Sequence, residues 1–453
     1  MLGQKHQLLV DTVQRLLRRE AHTNIKRIFA KTHPADLAAV ISRFDEAHKE
    51  LLFNLIESLE IQAEVLSEML DSAAAEFLAR KPVERVVALL QEMESDDAAD
   101  ILGHFSEDLS REVLAALGRH DDDDVGDLMR YDEDSAGGIM TPHFIALHEN
   151  VTVQDAIGTL RESRDVDMAF YLYVVNDHGQ LVGVLSLRKL VLVKPSTVLK
   201  DIMEPNVVAV KVHDDQEDVA RLVARYSLLA VPVIDENNSI QGIVTVDDVI
   251  DVIREEATED ILKMAGAGGE LVETDSVTRS VRARSPWLLV SCIGELIGVV
   301  VISPFIGELQ THHYLALFMP IIMAMGGNIG TQSATVIVRG LATGFVDQKR
   351  MATIYWRELR VAIVLGATYG ILVGSISLLF TDASIIYGAS IAISMALAMV
   401  IAVTVGTLLP IVLARMNVDP AVSTGPFVTS AVDVLGLLIF FTVSSMLISL
   451  AGL

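Results

Sequence analysis

The chain has 453 residues and a mass of 49.2 kDa, room for about three domains. It carries 35 Lys and Arg against 60 Asp and Glu, a formal charge of −25, which argues against general nucleic-acid binding. Residues 1–284 hold 53 of the acids and 29 of the bases, whereas residues 285–453 hold seven acids and six bases, so an acidic, water-facing body precedes a nearly neutral apolar region.

The N-terminal stretch MLGQKHQLLVDTVQRLLRRE lacks the continuous apolar core and small-residue cleavage site of a secretory signal, so the body is expected to stay on the side where it is made. Residues 5–130 read as short amphipathic helices broken at His33-Pro34, Lys81-Pro82 and Ser95 to Asp97. Leu37, Val40, Ile41 and Phe44 recur at helical spacing, as do Val86, Leu89, Leu90 and Met93. An acidic helical-superhelix domain over residues 1–130 is expected. Ser95 followed by Asp96, Asp97 and Asp100 has the form of a capped helix start, with acids at the positive end of the helix dipole. Capping accounts for one or two carboxylates, but not for three there together with Asp121 to Asp124 and Asp132, Glu133 and Asp134.

Residues 135–253 contain an internal repeat, with copies at about 135–197 and 198–253. Met140-Thr141-Pro142 recurs as Met203-Glu204-Pro205, Asp155 as Asp218 and Gly183 as Gly242, the first copy carrying extra residues near Asp165 to Tyr171. Each copy reads as strand, helix, strand, turn, strand, helix. The pattern resembles a tandem pair of CBS domains, the cystathionine β-synthase type of regulatory module. That resemblance implies an adenosine nucleotide whose ribose is held by Ser/Thr-x-x-Asp at the start of the last helix. The second copy keeps Thr245 and Asp248, but the first has Ser186 and Lys189, and lysine cannot accept a ribose hydroxyl.

A connecting helix over 254–284 is expected next. Asp247, Asp248, Asp251, Glu255, Glu256, Glu259 and Asp260 crowd the helical stretch that leads into it. Glu255 with Glu259 and Glu256 with Asp260 are like-charge i,i+4 pairs, each mildly destabilising. A solvated acidic face is one reading; the other is a set of hard oxygen donors of the kind Mg²⁺ or Ca²⁺ takes.

Residues 285–453 contain five apolar stretches of about 20 residues or more, long enough to cross a bilayer: Pro286 to Ile306, Tyr314 to Val338, Val361 to Phe380, Ile385 to Leu413 and Thr424 to Leu450. The only cysteine, Cys292, lies in the first, which excludes an intrachain disulfide and a cysteine-based zinc site. Arg279, Arg282 and Arg284 precede the first span, Arg339, Lys349, Arg350, Arg357 and Arg360 lie between or beside the second and third, and Arg415 follows the fourth. The opposite loops, with His312-His313 and Thr381-Asp382, carry no Lys or Arg. The positive-inside rule therefore places the acidic body in the cytoplasm and, with five spans, the C-terminus outside.

Asp433 falls near mid-bilayer in the fifth span, with Thr429 and Gly436 on its helical face and no Lys or Arg at that depth to pair with. Two readings stand: a transported cation supplies the missing charge, or the acid is protonated and bonded to a hydroxyl. Glu295, in the first span, needs no ion if it faces a helix or water. The second span contains Gly326-Gly327-Asn328-Ile329-Gly330-Thr331-Gln332-Ser333. Its glycines permit close helix packing, while Asn328, Gln332 and Thr335 at helical spacing favour a pore wall. Gly406, Pro410 and Gly425-Pro426 mark irregular backbone of the kind tolerated where it lines a cavity.

The order of parts, with Asp-Ser-Ala-Gly-Gly-Ile-Met-Thr, Gly-Gly-Asn-Ile-Gly-Thr-Gln-Ser and Val-Asp-Pro-Ala, resembles the MgtE family of bacterial magnesium channels along the whole chain. The resemblance implies a multidomain membrane protein: an α-helical superhelix N-domain, tandem CBS α/β domains, a connecting helix and a five-helix transmembrane pore domain over 285–453. It implies a homodimer in the bacterial inner membrane, Mg²⁺ as both cargo and regulator, and no enzymatic activity; whether ATP binds the CBS pair stays open. By position, Asp433 matches the ion-selecting aspartate, with the backbone near Thr429 and Gly436 beside it, and the pore wall read from Asn328 and Gln332 would line the same path. Asp97, Glu217, Asp248, Asp251, Glu256, Glu259 and Asp260 match regulatory carboxylates, and Thr245 the nucleotide contact. Ser227 stands where an acid is common in relatives, and Leu228 where an aromatic stacks on adenine. The alternatives are a broader channel for Co²⁺, Mn²⁺ or Ca²⁺ and a non-transporting CBS-based sensor. An anion channel would want basic or amide-rich pore ends, and an enzyme would want a motif such as His-Glu-x-x-His, which the sequence lacks.

Overall fold

The computed structural model describes residues 2–118, 124–162, 170–267, 277–342, 351–380, 385–416 and 418–451. Asp121 to Asp123, most of the insertion near Asp165, Lys349 with Arg350, and Thr381 with Asp382 lie outside these residues. The chain divides into two compact units, Met1–Ile253 and Arg254–Leu453.

Among the described residues, the first unit opens with ten helices between Leu2 and Leu128. Most are only eight to eleven residues long, too short to persist alone in water, so their order comes from a shared core. Leu37, Ile41, Leu52, Leu66, Leu78, Leu89 and Ile101 in that core are almost entirely buried. The expected cap at Ser95 is displaced. The helix Ser95–Gly103 has Glu94 at its N-cap without a side-chain bond, and the Ser95 hydroxyl faces His143 Nε2 at 3.3 Å instead.

Two three-stranded sheets follow. β1 (Ala146–His148) runs parallel to β2 (Tyr171–Val175), which pairs antiparallel with β3 (Leu181–Ser186). β4 (Val210–Lys211), β5 (Ala230–Ile234) and β6 (Ile240–Thr245) repeat that order. Each copy carries one amphipathic helix between its first two strands, Val153–Glu162 in the first and Gln216–Tyr226 in the second. The copies exchange their Met-x-Pro segments. Thr141 bridges Ile243, and Glu204 bridges Val184. A side chain on Gly242 would strike Met140 Sδ, and one on Gly183 would strike Met203 Sδ, which is why methionine and glycine repeat together. The second copy shares the core of the helical domain through Val212, Val219, Val231, Val244, Val249 and Val252; the first copy has a core of its own around Val153, Leu172, Val174 and Leu190.

The helix Val246–Met264 begins at the end of β6, with residues 254–264 belonging to the second unit. Five helical segments among the described residues are long and apolar enough to cross a membrane: Ser280–Thr311, Tyr314–Ala342, Met351–Ser377, Ile385–Arg415 and Pro420–Leu450. The third starts ten residues earlier than its apolar run, because Met351 to Arg360, although charged in part, continues the same helix. The spans pack through small residues. A Cβ on Gly370 would lie 2.5 Å from the Ala392 carbonyl oxygen, and one on Gly406 would strike that of Gly330.

Candidate functional site

In the first unit the acids of two distant segments meet. The start of the helix Ser95–Gly103 brings Asp96 and Asp97 to the start of Val246–Met264, where Asp247, Asp248 and Asp251 stand. The shared core holds both helices in place, so hydrophobic packing brings like charges together. Burial first, then the carboxylates of Asp248, Asp97 and Glu94, pushes Asp96 well above the usual carboxylate range. Burial also raises Asp97, against a hydrogen bond from Ser67, with Asp247 and Asp251 adding to the rise. Asp248 is pushed up to about 7 by burial, partly offset by Thr245. The Thr245 hydroxyl lies 2.5 Å from Asp248 Oδ2 and also meets Asp247. One Asp96 oxygen, Oδ1, is buried with no hydrogen-bond partner among the described residues. Such a group costs free energy until a proton or cation meets it.

Glu217 is paired on its own helix with Arg221, Oε2 to Nη2 at 2.8 Å. Lys189, at the position of the missing ribose acceptor, reaches toward Glu204 at 3.7 Å. Ser227 ends the helix Gln216–Tyr226 in a left-handed conformation at φ 52°.

The second unit has a smaller acidic group. Lys263 Nζ lies 2.6 Å from Glu259 and 2.7 Å from Asp419, in the segment before the fifth span. Burial works against the ammonium, but the bonds to Asp419 and Glu259 outweigh it and raise Lys263 overall. Asp260 is raised by burial and then by Asp419 and Glu256. The end of the helix turns at Gly266, φ 67°, where a Cβ would lie 3.1 Å from Pro426, while Trp287 meets Phe427 edge to face at 6.4 Å. Among the described residues no three His, Cys, Asp or Glu side chains are arranged to hold a metal ion as they stand.

Within the membrane-spanning helices, the fifth carries Asp433 half-buried. Gly326 and Gly330 of the second span receive Val432: a Cβ on either glycine would lie 3.1 Å from one of its methyls. The glycines thus bring the second span against the fifth next to Asp433. Asn328, Gln332 and Thr335 lie on the opposite, open face of the second span, away from the packing that fills its other side. Thr429 donates to the carbonyls of Gly425 and Pro426, at 3.1 and 3.2 Å, leaving its oxygen lone pairs available. A Cβ on Gly436 would meet nothing within 4 Å.

The neighbour of Asp433 is one the sequence did not announce: Glu295, brought beside it by the packing of Gly294 on Ser430. The available signal was two unmatched intramembrane acids in one chain, but their separation of 138 positions hid the pairing. Lys263, one turn beyond Glu259, was hidden in a different way, as a lone base in a run of acids that drew attention to the acids alone.

The family described as a divalent cation transporter, MgtE, matches residues 319–443. The MgtE intracellular N domain matches residues 32–134, and the CBS domain matches 136–195 and 199–255. The chain is 35% identical over 447 residues to the magnesium transporter MgtE of Thermus thermophilus, covering 97% of this chain and 98% of that one. It is 33% identical over 431 residues to the magnesium transporter MgtE of Bacillus subtilis, covering 95% of each. A crystal structure of the cytosolic domain of the Mg²⁺ channel MgtE in complex with ATP is 37% identical and superposes with a TM-score of 0.51, over 54% of this chain and 99% of that one.

Proposed function

The chain belongs to the MgtE family of magnesium transporters, and from that premise we propose that it imports Mg²⁺ as a homodimer, with Asp433 as the selecting group and the acidic body as the brake. The observation that carries this reading is Asp433 itself: an acid inside the fifth span, beside a glycine-rich segment that packs closely on one face and leaves Asn328 and Gln332 open on the other. Mg²⁺ gives up its water reluctantly, so two symmetry-related Asp433 carboxylates recognise an ion that keeps most of its hydration shell. Asn328, Gln332, Thr429 and the backbone near Gly436 supply hydrogen-bonding groups to that shell.

The crowded acids favour regulatory Mg²⁺. Asp96 has a buried oxygen without a partner among the described residues, and Asp97, Asp248 and Asp251 stand close by; a divalent ion between them relieves their repulsion. Glu256, Glu259, Asp260 and Asp419 form the second such group, and Glu217 is a further candidate once released from Arg221. With cytoplasmic Mg²⁺ plentiful, bridged carboxylates stabilise the closed state. With Mg²⁺ scarce, repulsion opens it. ATP, present in the related cytosolic domain, is assigned here to the CBS pair, with Thr245 and Asp248 as the ribose contact of the second copy.

The test is Mg²⁺ flux into proteoliposomes containing the purified full chain. Asp433→Ala is expected to abolish it, and selective flux by that variant rejects the pore assignment. Asp248→Asn with Asp251→Asn is expected to leave flux intact but less inhibited by Mg²⁺ on the side of the acidic body. Running Co²⁺, Mn²⁺ and Ca²⁺ in parallel separates a magnesium pathway from a broader divalent one.

A further inference from the structure

Resting on the assignment of Asp433 to the permeation path, we propose that Glu295 is a second specificity-determining carboxyl of that path, setting how strongly it prefers a divalent over a monovalent ion. The helix Val277–Ile302 lies against the fifth span along one narrow face. Gly294 is what allows the approach: any Cβ there would strike the Cβ of Ser430. A Cβ on Gly298, one turn on, would face Val434 and Leu437 at 3.9 and 3.8 Å. Between these two contacts sits Glu295, and between Ser430 and Val434 sits Asp433, so the two carboxyls are brought together by the packing that places Gly294 on Ser430. Glu295 is not sealed in by the contact. Its side chain remains exposed beside the half-buried Asp433, and the first span is the least covered of the five, 11% of its apolar window being buried against 28–44% for the others.

Two neighbouring carboxyls double the acidic groups available to one ion. The attraction of a divalent ion to that pair grows twice as fast with each added charge as that of Na⁺ or K⁺, and the effect is largest where water is scarce. Glu295 therefore acts on affinity and discrimination, and Asp433 on conduction itself.

The experiment compares the full chain with Glu295→Gln, which preserves volume and removes the charge, with Glu295→Asp, with Glu295→Ala and with Asp433→Asn, in proteoliposomes and planar bilayers. For Glu295→Gln the half-saturating Mg²⁺ concentration should rise about tenfold, maximal flux should stay within about twofold, and the permeability ratio of Mg²⁺ to Na⁺ should fall. Glu295→Asp should fall between that variant and the parent. If Glu295→Gln and Glu295→Ala keep the parent half-saturation and permeability ratio while Asp433→Asn is silent, Glu295 only packs and the inference is overturned. If Asp433→Asn conducts like the parent, the pore reading itself falls and takes this inference with it.

Discussion

Asp96 sits on the first turn of a helix, where its charge should be welcome, yet its Oδ1 is buried with nothing to bond among the described residues. Helix-dipole stabilisation of an exposed acid is about 0.3–1 kcal/mol, whereas an unpaired buried charge costs several times that, so burial wins and the carboxyl is driven toward its neutral form. The same balance acts on Asp248. A carboxyl held at about 7 in the folded chain and near its ordinary 3.8 when unfolded keeps its proton longer when folded. Between those pH values the folded state binds more protons, so stability falls as pH rises, by about 1 kcal/mol per pH unit for one such group, and levels off above 7. In metal-free detergent solution the first unit should therefore melt lower at pH 7.5 than at pH 5.5. Mg²⁺ should close that gap, because at pH 7.5 it meets ionised carboxylates without displacing protons. Asp96→Asn should raise the metal-free melting temperature at pH 7.5 and reduce the gain from Mg²⁺. A melting temperature that climbs with pH, or a full Mg²⁺ gain in Asp96→Asn, contradicts this account of the cluster.

At the scale of elements, the end of the helix Val246–Met264 is held by a basic residue among acids. Lys263 places one ammonium between Glu259 and Asp419, occupying with a single charge the place proposed for a divalent ion. Ammonium and Mg²⁺ cannot both neutralise the same oxygens, so they compete. Lys263→Gln should lower the Mg²⁺ concentration that half-inhibits flux by about two- to fivefold, the scale of a partly exposed ion pair, while maximal flux is unchanged. An upward shift, read in the same liposome assay, would make Lys263 a latch that supports closure on its own. This arrangement was only half legible from the sequence. The acids Glu256, Glu259 and Asp260 are visible as an i,i+4 pattern, but the partner Asp419 lies some 156 positions beyond Lys263, and no periodicity reports a contact of that range. The helices and strands were far more legible. Leu37, Val40 and Ile41 fall at a spacing that only a helix buries together, and Met140 with Gly242 repeats as Met203 with Gly183 because each methionine needs the other copy's glycine to lie against.

For the whole molecule, the five spans could be read directly because a hydrocarbon core demands about 20 apolar residues whatever the packing, whereas the start of the third span at Met351 could not, since Trp356, Glu358 and Arg360 interrupt its hydropathy without interrupting its helix. Orientation follows from charge at the span ends. Arg339 lies near the end of the second span, Arg357 and Arg360 near the start of the third and Arg415 at the end of the fourth; the positive-inside rule assigns these ends to the side of Arg282 and Arg284, and with five spans among the described residues the proposed topology puts the C-terminus on the other side. A potential of 100 mV is worth about 2.3 kcal/mol per charge, hence about 4.6 kcal/mol for Mg²⁺, enough for an accumulation of roughly a thousandfold. On the proposed reading, so strongly driven a path is braked on the side where the ion arrives, the side to which the 53 acids of residues 1–284 are assigned. Two readouts check this. A fluorescent protein fused at the N-terminus should fluoresce and one fused after Leu453 should stay dark, while alkaline phosphatase after Leu453 should be active. In vesicles of known orientation, Mg²⁺ on the side of the acidic body should inhibit flux, and Mg²⁺ on the opposite side should only drive it. A bright C-terminal fusion, or inhibition that is equal from both sides, would break the link between where the charges lie and which way the ion is controlled.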